Sequence, residues 1–177
     1  TVVDGVAVAL RITEVEAYGG REDPASHAYT RTPRSETMYG PSYRLYVYRS
    51  YGIHHCANVV TGPQEIGAAV LLRAGEVVDG SEVAYGRRGV GIPHRQLARG
   101  PGNLAQALGI TLLDLGIDVL DPTQAVHLGP ERSERVKIAA GPRVGVSKAA
   151  DVPWRFWLDG DPTVSAYRRS PRAPENP

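Results

Sequence analysis

The sequence predicts a single mixed α/β domain built mostly from short antiparallel strands. Three observations carry that expectation. Runs of strand length, alternating or apolar, recur along the chain. A Tyr51-Gly52 step divides two of them as a hairpin. Only one or two stretches carry helical signals. A length of 177 residues suits one domain with a continuous core. Hydrophobic residues at 42% and charged residues at 22% are ordinary globular values, which argues against wholesale disorder. The expected domain is 1–169. The proline-rich stretch 170–177 is expected to be a disordered tail.

The first strand opens the chain. Asp4-Gly5 is a hairpin-type turn signal after Thr1 to Val3. Val6, Val8, Leu10 and Ile12 then alternate with Ala7, Ala9, Arg11 and Thr13. A period of two carries that apolar face on to Glu14, Glu16 and Tyr18. Burying a carboxylate is costly unless it is paired or hydrogen-bonded. Either the strand twists and leaves both acids in solvent, or a carboxylate stands in a pocket. Residues 19–41 read as a long loop broken by Gly19-Gly20, Pro24, Pro33 and Gly40-Pro41, a length that often marks function. Further strands are expected over Tyr43–Tyr51, Ile53–Val60 and Gly67–Ala74. Residues 79–102 read as a short helix plus loop. A helix follows, with Asn103 as its possible N-cap. Short strands are expected at Val126–Leu128, Arg135–Ala139, Val144–Val146 and Trp154–Leu158.

Several chemistries are excluded or made thin. The single cysteine, Cys56, allows no internal disulfide and no cysteine-based zinc site, which fits a reducing cytoplasm. No leader and no spanning segment of roughly 18 apolar residues is visible, so a cytoplasmic protein without membrane attachment is expected. His54 and His55 are adjacent on a strand and face opposite ways, so no metal site is expected there. No P-loop or Gly-x-Ser-x-Gly elbow occurs, and Gly86, Gly89 and Gly91 lack dinucleotide-fingerprint spacing. Lys137 and Lys148 are the only lysines, and both lie far along the chain from the tyrosine-rich region. That leaves a thin supply for Schiff-base chemistry.

The net charge is only +1, but its distribution is uneven. Between Tyr29 and Tyr51 stand Arg31, Arg34, Arg44 and Arg49 against one acid, Glu36, among six tyrosines. That combination offers phosphate contacts and stacking faces for nucleic acid. It equally describes a tyrosine-rich sheet with a solvated rim. The residues left with chemical potential are Glu14 and Glu16, the loop residue His27, and the hairpin.

Their order resembles one family. Thr13–His27 (TEVEAYGGREDPASH), Leu45–Asn58 (LYVYRSYGIHHCAN), Ala69–Ala74 (AVLLRA), Leu97–Ile110 (LARGPGNLAQALGI), Gly141–Val146 (GPRVGV) and Pro153–Phe156 (PWRF) are similar, in order, to motifs of the alkyladenine (3-methyladenine) DNA glycosylases. The resemblance runs over most of the chain. It implies a curved, partly barrel-like antiparallel sheet with a protruding hairpin. It also implies a monofunctional enzyme, with no cofactor, that flips an alkylated purine out of duplex DNA and hydrolyses its N-glycosidic bond with water. In that resemblance Glu16 is the catalytic carboxylate and Arg73 approaches the same site. Tyr18 and Tyr48 sandwich the flipped base, His27 bonds its edge, and Asn58 lines the pocket and disfavours guanine. Tyr51 is the wedge that fills the vacated stack, while Arg31, Arg34, Arg44 and Arg49 are candidates for the DNA backbone. Glu14 is read as structural, held by an arginine or by backbone.

Two departures stand out. Family members carry a helix before the first strand, which is expected to be missing here, and the glycine-rich stretch 80–91 replaces a more basic helix. The partner implied is double-stranded DNA with damaged purines, bound by a monomer. The alternatives are a catalytically silent DNA-binding module on the same scaffold and a carbohydrate hydrolase using Glu14 and Glu16. Neighbours on one strand are poorly placed to flank a scissile bond, which ranks the hydrolase low.

Overall fold

The computed structural model describes residues 2–3, 6–129 and 136–174. Among them, seven strands form one antiparallel sheet in the order β4-β5-β6-β3-β9-β8, with β7 on β6. Their ranges are β3 (Ala9–Gly19), β4 (Leu45–Ser50), β5 (His54–Thr61), β6 (Ala68–Asp79), β7 (Ala98–Arg99), β8 (Ile138–Gly141) and β9 (Arg155–Leu158). Two short strands, β1 (Val2–Val3) and β2 (Val6–Ala7), pair separately. The Asp4-Gly5 turn signal between them lies outside the described residues. Two helices, α1 (Ser81–Arg88) and α2 (Pro101–Leu108), complete the mixed α/β domain. The sheet is open, not closed into a barrel: β4 and β8 end it on opposite sides.

The two faces differ in kind. One is apolar. Leu45 and Val47 of β4, Ala57 and Val59 of β5, and Leu72 of β6 pack against Ala84 of α1 and Leu104, Ala107 and Leu108 of α2. The other carries Tyr46, Val60 and Ala69 under Ala28, Met38 and Tyr39 of the 20–44 segment. That segment is not a featureless loop. It folds into three 3-10 turns at Gly20–Glu22, His27–Tyr29 and Glu36–Tyr39, and the Tyr39 hydroxyl donates to the Ala28 carbonyl.

The strand phase in β3 differs from simple alternation. Ile12 pairs with Gly75 but Glu14 pairs with Ala74, so Thr13 is an extra residue on β3. Val15 then pairs with Leu72, so Arg73 is an extra residue on β6. A bulge on each strand restores the overall register and re-aims the side chains beside it. Leu10, Ile12 and Val15 therefore all reach the apolar face. Glu14, Glu16 and Tyr18 do not continue that face, as alternation predicts, but turn to the opposite one.

Other differences have local causes. β6 extends five residues past Ala74 because residues 75–79 pair with the first half of β3. Helix α2 begins at Pro101, whose missing N–H is harmless at N1. Asn103 therefore lies inside the helix, and its side chain donates to the Arg99 carbonyl at 2.7 Å instead of capping. Val126–Leu128 and Val144–Val146 form no strand. The Val144 N–H is taken by Glu16 and the Gly145 N–H by the Arg168 carbonyl. The expected strand at Arg135–Ala139 is observed as β8 from Ile138 onward, with Arg135 outside the described residues. Of the tail expected over 170–177, residues 175–177 lie outside the described residues. Before them Ser170 is buried and accepts, through its carbonyl, the Ala173 N–H.

Gly20 closes β3 at a φ of +73°, and a Cβ there would stand 2.1 Å from the Ile66 carbonyl oxygen. Both the left-handed backbone and the contact demand glycine. Gly20→Ala is expected to destabilise the protein by more than about 2 kcal/mol in urea unfolding. A change below half of that would show that the segment after β3 yields freely.

Candidate active site

The pairing register lines up one row of directly opposite residues across the sheet: Tyr46, Asn58, Leu71, Glu16 and Arg155. Glu14 and Glu16 are 1% and 0% exposed, so both carboxylates are fully buried. Their surroundings explain how that is tolerated. Glu14 Oε1 accepts from Arg73 Nε at 2.9 Å, Arg155 Nε at 2.6 Å and the Ser165 hydroxyl at 2.9 Å. Its Oε2 accepts the Ser165 N–H at 2.7 Å. Burial alone would raise the Glu14 pKa, but Arg73, the Ser165 N–H and Arg155 outweigh it and hold it below its ordinary 4.5. Glu14 is thus wholly engaged by protein groups.

Glu16 is bound differently. Oε1 accepts the Val144 N–H at 2.7 Å and faces Arg73 Nη1 at 3.3 Å. Oε2 accepts the Tyr18 hydroxyl at 2.8 Å. Burial, then the charge of Glu16 and its hydrogen bond, push the Tyr18 phenol well above its ordinary range, so Tyr18 remains a donor. A carboxylate offers about four lone-pair sites. The three donors around Glu16 leave capacity for one more.

A cavity of about 520 Å³ is lined by Tyr18, His27, Tyr46, Tyr48, Asn58 and Lys148, among others; Glu16 does not line it and is joined to its wall by the Tyr18 hydroxyl. The structure brings together Glu16, Arg73, Tyr18, His27, Tyr48 and Asn58, which lie on four strands and a 3-10 turn. His27 Nδ1 is 3.1 Å from the Tyr46 hydroxyl, and its ring meets Tyr48 edge-on at 4.4 Å between centroids. Burial, then the charge of Arg34, lower its pKa below 6.5, which favours the neutral ring near pH 7. The Asn58 amide donates to the Tyr46 carbonyl at 3.1 Å, which fixes its orientation.

At the cavity mouth, Tyr51 and Gly52 both have positive φ, 49° and 73°. The Ile53 N–H closes the turn onto the Ser50 carbonyl. Two positive φ values make a hairpin turn that matches the strand twist. A tyrosine in that conformation is strained, and this one is 92% exposed.

The four arginines separate. Arg34 and Arg49 line the cavity. Arg31 is engaged by Glu36 and Glu65 over the Tyr39 ring. Arg44 faces Asp118 at 3.7 Å and the Gly116 carbonyl.

Four residues near the site escape a sequence reading. Arg155 and Ser165 complete the Glu14 cage from about 150 positions away. Arg143 is fully buried and grips both carboxylate oxygens of Asp23, at 2.5 and 2.9 Å. Its guanidinium lies 4.7 Å from the Tyr18 ring centre and 5.2 Å from Trp154, and it also binds the Ala17 carbonyl. Arg143 therefore fixes the segment that supplies Val144 to Glu16. Lys148, set apart by chain distance, follows on the same segment and reaches the cavity wall. Only the GPRVGV and PWRF stretches offered any sign of these residues. Among the described residues no three His, Cys, Asp or Glu side chains gather as a metal site, and no helix is long and apolar enough to cross a membrane.

An aromatic cavity with an exposed hairpin tyrosine on its lining, and a buried carboxylate bonded to its wall through Tyr18, coincides with a match along the chain. The family described as methylpurine-DNA glycosylase (MPG) matches residues 1–162. The chain belongs to the methylpurine-DNA glycosylase family. Its relatives include proteins provisionally named 3-methyladenine DNA glycosylase. That of Mycobacterium tuberculosis (strain ATCC 25618 / H37Rv) is 54% identical over 178 residues, covering 97% of this chain and 87% of that protein. That of Nocardia farcinica is 56% identical over 174 residues, covering 94% and 82%. That of Mycolicibacterium paratuberculosis is 55% identical over 176 residues, covering 96% and 85%. DNA repair by base excision is the role this family membership gives the chain.

The Asp23–Arg143 pair yields a pH-dependent expectation. Burial would raise Asp23, but Arg143 and backbone N–H groups hold it below 3.8. The stability it contributes is present above pH 3.8 and is lost as pH falls through the lower, folded value. Asp23→Asn leaves Arg143 buried without its counter-charge and is expected to cost about 3–5 kcal/mol at pH 7. That penalty should shrink below about pH 3.8. A penalty in thermal or urea unfolding that is constant with pH would show that charge pairing is not its source.

Proposed function

We propose that this protein is a monofunctional DNA glycosylase, working as a monomer, that flips alkylated purines of the 3-methyladenine type into the aromatic cavity and hydrolyses the N-glycosidic bond with water. The observation that carries this reading is Glu16: fully buried, held by Tyr18, Val144 and Arg73, with one acceptor site to spare and bonded to a side chain of the cavity wall. A target bond inside duplex DNA is out of reach, so the nucleotide must rotate out. Tyr51 then fills the vacated stack, returning part of the unstacking cost. Tyr18 and Tyr48 stack on the base, whose positive charge suits an electron-rich ring. Neutral His27 offers a ring nitrogen to the base edge, and Asn58 narrows the pocket against guanine. Arg34, Arg49 and Lys148 form the cationic rim for the DNA backbone, while Arg31 and Arg44 would have to leave carboxylate partners to join them.

Loss of the base leaves positive charge on the sugar. Glu16 stabilises that charge and takes the proton of the attacking water. Arg73 shares its charge between Glu14 and Glu16, keeping two neighbouring carboxylates compatible with burial. A cationic base leaves without further protonation. A silent DNA-binding module would keep Tyr51 and the arginines, but the buried and elaborately held Glu16 would then serve nothing.

The deciding experiment is release of free 3-methyladenine from alkylated DNA, with alkali-labile sites left behind. Glu16→Gln is expected to reduce single-turnover release at least about a thousandfold while lesion binding persists. Near-normal release would remove Glu16 from the chemistry.

Lys148 makes the water mechanism testable. An amine nucleophile needs desolvation, and Lys148 is exposed, its ammonium 5.7 Å from the Tyr29 ring centre. Borohydride added during turnover should trap no covalent adduct. A trapped adduct lost in Lys148→Ala would assign the enzyme an amine mechanism instead.

A further inference from the structure

Arg34 stands against the aromatic wall in a manner unlike its neighbours. Its guanidinium carbon lies 5.2 Å from the centre of the Tyr48 ring. Its charge also reaches the Tyr46 hydroxyl and His27, opposing the effect of burial on Tyr46 and adding to it on His27. Its hydrogen bonds go to neutral groups, the Tyr46 hydroxyl and, through Nη2 at a long 3.4 Å, the Arg49 carbonyl. No carboxylate neutralises it among the described residues, whereas Arg31, three positions earlier, is held by two. Arg34 is thus an exposed cation, held by neutral groups alone, that rests on a ring of the cavity.

A cation over a tyrosine face uses the attraction that a positively charged purine would use. Two cations on one face repel each other. We propose that Arg34 is a displaceable occupant of the Tyr48 face, competing with the cationic base and moving to a DNA phosphate at the rim when the base enters; this rests on the glycosylase reading above. Arg49 and Lys148 line the same cavity, so the rim already gathers positive charge. A guanidinium there can bind phosphate in bidentate fashion. The displaced side chain would thereby exchange a stacking contact for a charge-assisted one. Arg34 then sets selectivity: a base that brings no backbone phosphate with it meets the competition without the compensation, which favours lesions in DNA over free alkylated bases.

Arg34→Ala separates the two effects because they have opposite signs. The first probe is 3,9-dimethyladeninium, a purine cation without sugar or phosphate. The variant is expected to bind it about threefold to tenfold more tightly than the wild-type protein. The second probe is a duplex carrying 3-methyladenine, titrated against proteins that also carry Glu16→Gln so that the lesion persists. Here Arg34→Ala should bind more weakly, and its slope of log affinity against log salt should be shallower by about one. Unchanged or weaker binding of the purinium would overturn the competition. An unchanged salt slope would overturn the move to phosphate. If wild-type protein releases 3-methyladenine but the purinium result fails, Arg34 alone is misassigned. If neither protein binds purinium and no base is released, the glycosylase reading fails and takes this inference with it.

Discussion

Two carboxylates buried side by side under one sheet are the constraint around which the rest is arranged. A charge in that position is intolerable without partners. Arg73 meets both carboxylates, and Arg155, Ser165, Val144 and Tyr18 take up most of the remaining acceptor capacity. Those partners come from β6, β9, the C-terminal segment and the segment after β8. The burial of Glu14 and Glu16 therefore ties together regions far apart in sequence. The paired bulges at Thr13 and Arg73 are the backbone device that lets it happen. They turn the acids away from the apolar face and swing the guanidinium between them.

The sheet accordingly divides its labour. The face under α1 and α2 is apolar and asks nothing of chemistry. The other face is built of tyrosines, an asparagine and ionised groups, and the 3-10 turns of 20–44 roof it. The two carboxylates also divide. Glu14 accepts from four protein donors, so it anchors. Glu16 accepts from three and is joined through Tyr18 to the cavity wall. The difference lies in hydrogen-bond capacity, since both are equally hidden from water.

The sequence made some of this visible and hid the rest for identifiable reasons. The hairpin was legible because Tyr51-Gly52 is a local signal whose turn geometry needs no distant partner. The residues of the cavity were legible through motif resemblance, not through periodicity, which predicts the wrong face for Glu14, Glu16 and Tyr18. A bulge is set jointly by two strands, and the alternation of one strand does not encode it. The cage around Glu14 depends on Arg155 and Ser165, and the brace behind Tyr18 depends on Arg143. Such long-range pairings have no signature in either segment alone. Lys148 shows the same limit: distance along the chain said it was remote, and the fold of 143–148 against β3 makes it a neighbour.

Cys56 sits opposite Tyr48 in the β4–β5 ladder and is 4% exposed. Burial raises its pKa, which keeps the sulfur protonated. Electrophiles that methylate nucleobases also react with thiolates, the softest nucleophiles a protein carries. This chain holds a single sulfhydryl and encloses it within the sheet as a neutral, shielded group. Such reagents therefore meet little reactive sulfur in this chain, because its one thiol is neutral and shielded.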